Sequence, residues 1–256
     1  MGTTACSAST RRGTTPHELS VYKSAHYSAL PAAIQGTASN EDLLERFPRG
    51  GLLLLGDIHD DRELHVIQAQ ILQKLIHHRK EIVLHVEFLG LEDAEALDLF
   101  LSGQIDLEEL RLRVQERWPG SWMEFQGFDW RFYRRLLQTA REHAIDVRPL
   151  EQIPRLELRL RDQGMATEIT EAMQDRPEAL HIVLVGHTHL LGAGHLASFL
   201  GHQQKIILLP RGSSSLTNRL GVFASNHSAA WHAPYLVLDE ELWLLNPLPL
   251  RPLGLD

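Results

Sequence analysis

The sequence predicts an α/β fold with a mostly parallel central sheet flanked by helices, and three observations predict it. Leu52-Leu53-Leu54-Leu55 is a short apolar run closed by Gly56, as expected of a strand buried on both faces of a parallel sheet. From Asp60 onward, Leu64, Ile67, Ile71 and Leu75 recur at helical spacing behind a capping-box pattern, Asp60-Asp61-Arg62-Glu63. Ile82 to Glu87 then returns to a strand pattern, so strand, helix and strand follow within about 35 residues, the length of a βαβ unit with a right-handed crossover.

The remaining elements continue that rhythm. Glu92 to Leu101 and Leu107 to Trp118 read as two helices of an excursion spanning about 91–128. Trp130, Tyr133, Leu137 and Ala140 form the stripe of a further helix, which leads to a strand near Asp146-Val147-Arg148-Pro149-Leu150. Arg161 to Met173 is predicted as a helix and His181 to Gly186 as the clearest remaining strand. Lys205 to Leu209 is another. Tyr235 to Leu238 and Leu242 to Leu245 flank Asp239-Glu240-Glu241 and predict a C-terminal antiparallel hairpin at a sheet edge. Residues 1–16 are small and polar and are expected to form a flexible tether, with 17–256 as a single α/β domain.

Composition narrows the function. Of 256 residues 43% are apolar and 23% charged, the balance of a globular protein. Lys and Arg number 25 against 33 Asp and Glu, a formal charge of −8, and no basic block exists to track a phosphate backbone, so nucleic acid is excluded as an expected partner. No apolar stretch approaches the roughly 20 residues of a membrane span. A single cysteine, Cys6, rules out an internal disulfide framework and any cysteine-built metal site. Ala5 directly before Cys6 resembles the end of a bacterial lipoprotein signal whose hydrophobic region is missing, which makes Cys6 a candidate lipidation point; the alternative is a tail cysteine without a role.

Candidate chemistry collects where the predicted strands end. Ligands of open α/β sheets bind beyond the carboxyl ends of the strands, where loops converge and helix N-termini present unpaired N–H groups. The first strand ends in Gly56-Asp57-Ile58-His59, the second in Val86-Glu87-Phe88, and a later one in Gly186-His187-Thr188-His189. Two Gly-x-x-His segments after apolar strands place His59 and His189 at one sheet edge, with Asp57, Glu87 and His187 beside them. Chance placement among 15 histidines is the competing account. His85 lies inside a strand and is expected to be a hydrogen-bonded core histidine, while His77 and His78 close a helix, where the dipole favours them. His195, His202, His227 and His232 are expected in loops or on the surface without an assigned role. Arg161 shares a helical stripe with Met165, Ile169 and Met173, so its guanidinium faces the core and needs an acidic partner or an anionic ligand; an arginine reaching past the helix end is the alternative.

Gly56-Asp57-Ile58-His59-Asp60-Asp61 with His65 and Gln68, Glu87, Phe128-Asp129-Trp130-Arg131-Phe132-Tyr133, Arg161-Asp162-x-x-Met165-Ala166 and Gly186-x-x-His189 together resemble the ChaN family of bacterial haem-binding lipoproteins, within a wider group that includes the TraB/Tiki proteins and erythromycin esterases. The resemblance spans about residues 50–200. It departs at Asp57, where the family has Glu, and at His65, where two adjacent histidines are common. What it implies is an α/β fold, haem b as cofactor, a lipid anchor at Cys6 and dimeric binding in which each subunit covers part of the haem. It further implies haem-transport components as partners and an outer-membrane location in the bacterial envelope, facing the periplasm or the surface, with the membrane touched through the anchor alone.

Two functional expectations follow. The first is haem binding for iron uptake without turnover, through an axial Tyr or His and arginine contacts to the propionates; 21 Arg against 4 Lys supply the cations. Candidate cofactor-binding residues are Tyr133, Arg161, His59, His65 and His189, with Tyr133 as the iron ligand and Tyr22, Tyr27 or a clustered histidine as alternatives. A packed core tyrosine with one hydrogen bond is the other state open to Tyr133. The second expectation is a hydrolase of esters or peptides in which His59, Glu87 and His189 hold a divalent metal or act as general base.

Overall fold

The computed structural model describes residues 14–246 apart from 32, 48–49, 79–80, 119–120, 122–126, 153–154, 202–203 and 211–232. Cys6, His202, His227, His232 and the greater part of the expected tether lie outside the described residues. Within the described residues the strands are β1 (Gly36–Ala38), β2 (Gly51–Asp57), β3 (Ile82–Gly90), β4 (Asp146–Glu151), β5 (Leu180–Gly186), β6 (Lys205–Leu209), β7 (Tyr235–Val237) and β8 (Leu242–Leu245). They form one sheet in the order β1-β7-β8-β6-β2-β5-β3-β4. From β8 to β4 every pairing is parallel, and β7 alone runs against its neighbours. The fold is therefore the expected α/β architecture with a mostly parallel sheet.

The helices are α1 (Pro16–Ser28), α2 (Asn40–Glu45), α3 (Arg62–His78), α4 (Ala94–Leu101), α5 (Leu107–Arg117), α6 (Trp130–Glu142), α7 (Leu158–Asp175) and α8 (Leu196–Phe199). Strand periodicity sends Leu53, Leu55, Leu84 and Val86 to one face, where they pack with Leu64, Ile71 and Leu75 of α3 and with Leu136 and Leu137 of α6. Leu52, Leu54, Val183 and Val185 face the other way, against Met165 and Ile169 of α7 and Leu196 of α8. Each such side chain contributes roughly 1.5–3 kcal/mol by leaving water, which explains why a run of four leucines is a strand rather than an amphipathic helix here.

Several boundaries differ from the sequence reading. Asp61, not Asp60, caps α3: its Oδ1 accepts from the Leu64 amide at 3.0 Å, so the helix opens at Arg62. α7 begins at Leu158, three residues before Arg161, and still buries Arg161, Met165 and Ile169 on one stripe. The β7–β8 hairpin is antiparallel as expected but is not an edge, because β1 adds to β7 with Gly36 opposite Val237. Among the described residues the edges are β1 and β4, and Pro149 in β4 suits an edge strand. The excursion after β3 consists of a 3-10 turn at Leu91–Asp93 followed by α4 and α5.

α1 is the longest of the elements that periodicity did not announce, the others being β1, α2 and α8. It is capped by Thr15, whose side chain accepts from the Glu18 amide while Glu18 returns a carboxylate to the Thr15 amide, and Pro16 supplies a preset first turn. Its one buried residue is His26, with Leu19, Val21 and Tyr27 exposed.

Away from the sheet edge, His85 of β3 is fully buried and forms the core hydrogen bond expected of it. His181 Nε2 lies 3.0 Å from the Arg176 carbonyl, which can only accept, so His181 Nδ1 must accept from His85 Nε2, also at 3.0 Å. His85 Nδ1 is left as a buried acceptor with no partner among the described residues.

Candidate functional site

β2 lies between β5 and β6, while the chain leaves β2 through α3 for β3, on the far side of β5. The strand order reverses at this point, and the crevice beyond the carboxyl ends of β2 and β5 is where such a sheet takes ligands. Asp57 and His59 stand on one lip, the 3-10 turn His187–His189 on the other. Gly186 joins them: the position a Cβ would occupy there is 3.4 Å from both the His59 and the His189 rings. His59, Glu87 and His189, predicted from separate strand ends, are thus brought to one edge.

Two buried hydrogen-bond networks fill this edge. The first centres on the Asp57 carboxylate, which lies 2.9 Å from His65 Nε2 and 3.0 Å from His59 Nδ1 and accepts from the Tyr133 hydroxyl at 2.6 Å. His65 reaches Asp129 with its other nitrogen at 3.1 Å and stacks on Phe132. Burial alone would lower the His65 pKa, but Asp57 and Asp129 outweigh it and raise it, so the ring is held as an imidazolium donating from both nitrogens. The same partners work in reverse on Asp57, whose burial would raise its pKa and whose bonds to His59 and His65 drive it far below the usual carboxylate range.

The second network centres on Glu87. Its carboxylate accepts from Arg161 Nη2 at 2.6 Å and from the Gly186 amide at 2.8 Å, with His189 Nε2 at 3.5 Å. Burial would raise its pKa, but nearby His189, Arg161 and His59 with the Gly186 amide bring it down to about 2. Arg161 also donates from Nε to Glu151 at 3.1 Å and shares Nη2 between Glu87 and Glu151, which in turn pairs with Arg155. His189 Nδ1 lies 2.5 Å from Asp162, and Asp162 also accepts the hydroxyl of Tyr22 from α1. The Tyr22 ring then stacks on His195, with centroids 3.9 Å apart and an interplanar angle of 14°. Burial and the adjacent carboxylates push both phenols, Tyr22 and Tyr133, well above the ordinary tyrosine range, so both keep their protons.

Against this geometry two expectations change. Tyr133, expected to offer a phenolate to iron, has no exposed surface, and its hydroxyl is bound to the Asp57 carboxylate; it sits as the packed, hydrogen-bonded core tyrosine that its helical stripe also allowed. Arg161, expected near a propionate, is buried and neutralised by Glu87 and Glu151, the acidic partners its core-facing position required. His65 is likewise buried and saturated. Asp162, Glu151 and Asp129 complete the site without having been assigned to it, and Tyr22, named only as an alternative ligand, joins them. Asp162 and Asp129 stood inside quoted motifs, but nothing in a single sequence showed which carboxylate each histidine and arginine would meet.

His26 and Tyr27 of α1 flank His187, with Tyr27 Oη 3.4 Å from His187 Nε2. Burial, then His187, His195 and His189, lower the His26 pKa to about 3, which leaves it neutral. On the other flank of α1, toward the start of α7 and residues 193–195, lies a cleft of about 450 Å³ walled by Val21, Ala25, Leu158 and Ala193, with Tyr22 and His195 on its lining. Among the described residues no group of three or more His, Cys, Asp or Glu side chains is arranged to hold a metal ion, and no helix is long and apolar enough to cross a membrane.

Residues 43–155 match the family model described as "Haem-binding uptake, Tiki superfamily, ChaN". Among solved structures, one described as cofacial haem binding to ChaN of Campylobacter jejuni aligns with a TM-score of 0.50 at 11% identity, over 74% of this chain and 90% of that one. The type III effector HopBA1 aligns with a TM-score of 0.48 at 15% identity, over 70% and 88% of the two chains. No curated protein matches significantly.

Proposed function

We propose, from the match of residues 43–155 to the haem-binding uptake model of the ChaN type in the Tiki superfamily, that this chain binds haem for haem or iron acquisition at the carboxyl edge of its sheet. The observation that carries the reading is the concentration there of imidazoles and phenols, Tyr22, Tyr27, His59, His187, His189 and His195, beside an apolar-walled cleft within the usual 300–1,000 Å³ of small-molecule sites. A haem site needs these parts: apolar walls for the macrocycle, an axial His or Tyr, and cations for the propionates. The chain's residues fit that set. The reading takes the haem as b-type, as the family resemblance implies; the single cysteine, Cys6, cannot supply the paired thioethers of a c-type haem.

In this reading Tyr133 and Arg161 brace the edge from within, and the axial position belongs to a side chain that borders solvent or the cleft. The lipoprotein part of the proposal rests on Ala5-Cys6 alone: lipid at Cys6 would tether the domain to the bacterial outer membrane, where a homodimer and haem-transport components would meet it. Loss of membrane association in a Cys6→Ala chain expressed with its native leader tests that part.

A second reading, a divalent-metal hydrolase of esters or peptides, is favoured by one observation, the approach of His59 and His189 to the same point above Gly186 with Glu87 beside them. Titration of the purified chain with haem separates the two. A saturable Soret band with shifted maximum supports the first reading. A stoichiometric divalent ion with no spectral response to haem overturns it.

A further inference from the structure

We propose that the groove between α3 and α6 docks an acidic segment of a partner protein, a short amphipathic helix whose apolar side chains enter the groove and whose carboxylates meet Arg131 and Arg135. Composition marks the surface first. Leu64 to His78 and Trp130 to Arg141, nearly the whole of both helices, contain no Asp or Glu, although the chain holds 33 acidic residues against 25 basic ones. The formal charges on these stretches are therefore all positive: Lys74, Arg131, Arg134, Arg135 and Arg141. A face of one sign on a chain of net charge −8 differs from an ordinary solvated helix, where charges of both signs pair along the surface. The neighbouring α5 is of that ordinary kind, with Arg111 and Arg113 paired to Glu108 and Glu109. On α6, no carboxylate among the described residues pairs with Arg131, Arg134 or Arg135.

The groove has the shape for such a partner. It encloses about 210 Å³ and is lined by Val66, Ala69 and Leu72 of α3 and by Phe132, Arg135 and Leu136 of α6. Leu72, Phe132 and Leu136 are buried and fixed by the core beneath, whereas Val66 is 57% exposed, the most of any large apolar side chain among the described residues. Both helices start at the carboxyl edge: α3 follows β2, and α6 opens where the Asp129 amide donates to the His59 carbonyl at 2.8 Å. They run side by side in the same sense, and the lining from Val66 to Gln73 extends over about 11 Å, or two turns. A hollow below the roughly 300–1,000 Å³ of small-molecule sites seats one or two side chains rather than a cofactor, which is how a helix anchors in a groove. Arg131 and Arg135 stand one turn apart beside it. The Trp130 ring holds the guanidinium groups of Arg134 and Arg131 at 4.4 and 5.2 Å, and a stacked arginine loses less freedom when a carboxylate arrives. A flat lipid surface meets these arginines but not the recessed apolar floor, so the two features together select a polypeptide.

The test is selection of displayed random peptides on the full chain, followed by fluorescence anisotropy with the enriched sequences as synthetic peptides. Enriched peptides should be acidic with apolar residues at helical spacing, and their binding should weaken as salt is raised. Val66→Asp and Arg135→Glu, both at exposed positions, each set a carboxylate against the incoming ones and should weaken binding roughly tenfold or more. In the unmodified chain the peptide should slow hydrogen exchange in residues 66–73 and 131–139, a readout that needs no variant. Enrichment of neutral or basic peptides, or of none, overturns the proposal, as does undiminished binding to both variants or protection confined to other elements. Self-association of the chain that Arg135→Glu abolishes assigns the face to a second copy. Adsorption to phosphatidylglycerol vesicles through the same arginines, with no peptide selected, assigns it to lipid. Either result overturns an acidic protein segment as the occupant.

Discussion

Asp57 is the residue on which three side chains converge, and its behaviour fixes theirs. A buried carboxylate that holds His65 as an imidazolium and receives Tyr133 loses a charge-assisted hydrogen bond whenever one partner is removed. Tyr133→Phe is therefore expected to cost about 1.5–3 kcal/mol in urea unfolding while leaving the haem spectrum unchanged; a shifted spectrum would restore Tyr133 to the iron. This is also where the sequence was least able to speak. Asp57, His59, Glu87 and His189 were legible because polar residues at the ends of apolar strands stand out. The two states open to Tyr133 differ only in where its hydroxyl points, and that is decided by Asp57, 76 positions away. Arg161 shows the same limit from the other side: its stripe demanded a partner for the charge, but Glu87 and Glu151 become its partners only through the register of β3 on β4.

At the level of elements, periodicity located the long buried ones and missed the short β1, α2 and α8 and the exposed α1. α3, α6 and the strands bury apolar stripes, and those are what a pattern reads. α1 buries only His26, so its signal lay in Thr15, Pro16 and Glu18, a capping box ahead of a run without a stripe. The same fact sets its stability. A helix attached through Tyr22, His26 and Tyr27 to the 3-10 turn and its neighbours, with little apolar area behind it, should open well below the free energy of global unfolding. Thr15→Ala removes the cap and should weaken α1 by about 0.5–2 kcal/mol, seen as faster hydrogen exchange of its amides at unchanged global stability. Exchange of α1 only through global unfolding would contradict this.

The molecule as a whole should be acid-sensitive. His85 is held neutral by burial, then by His181 and Arg148, with its pKa lowered from 6.5 to about 3. Unfolding lets it take up a proton that the folded chain refuses, so the stability it contributes is complete above pH 6.5 and is lost as the pH falls toward 3. Glu87 acts in the same sense lower down, its contribution complete above 4.5 and lost as the pH falls through about 2. His85→Gln keeps a donor for His181 but does not titrate, and should flatten the decline of urea stability between pH 6.5 and 3, by about 4 kcal/mol at most. An unchanged pH profile would show that the pair carries none of it.

β5 has a kinetic consequence. β2 and β3 are consecutive in sequence, yet each pairs with β5 rather than with the other, Leu180 standing opposite both Gly51 and Ile82. A nascent chain must therefore hold an empty slot between its first two central strands while about 90 further residues are made, on the order of 5–20 s at ordinary synthesis rates. Both strands expose unpaired edges and leucine-rich faces during that interval, which makes this stretch the place for chaperone capture or misassembly. A chain ending at Asp175 should consequently show no cooperative urea transition, even though it contains the whole of the family-matched segment 43–155. Folding of the complete chain waits on a strand that arrives late and is inserted into the middle.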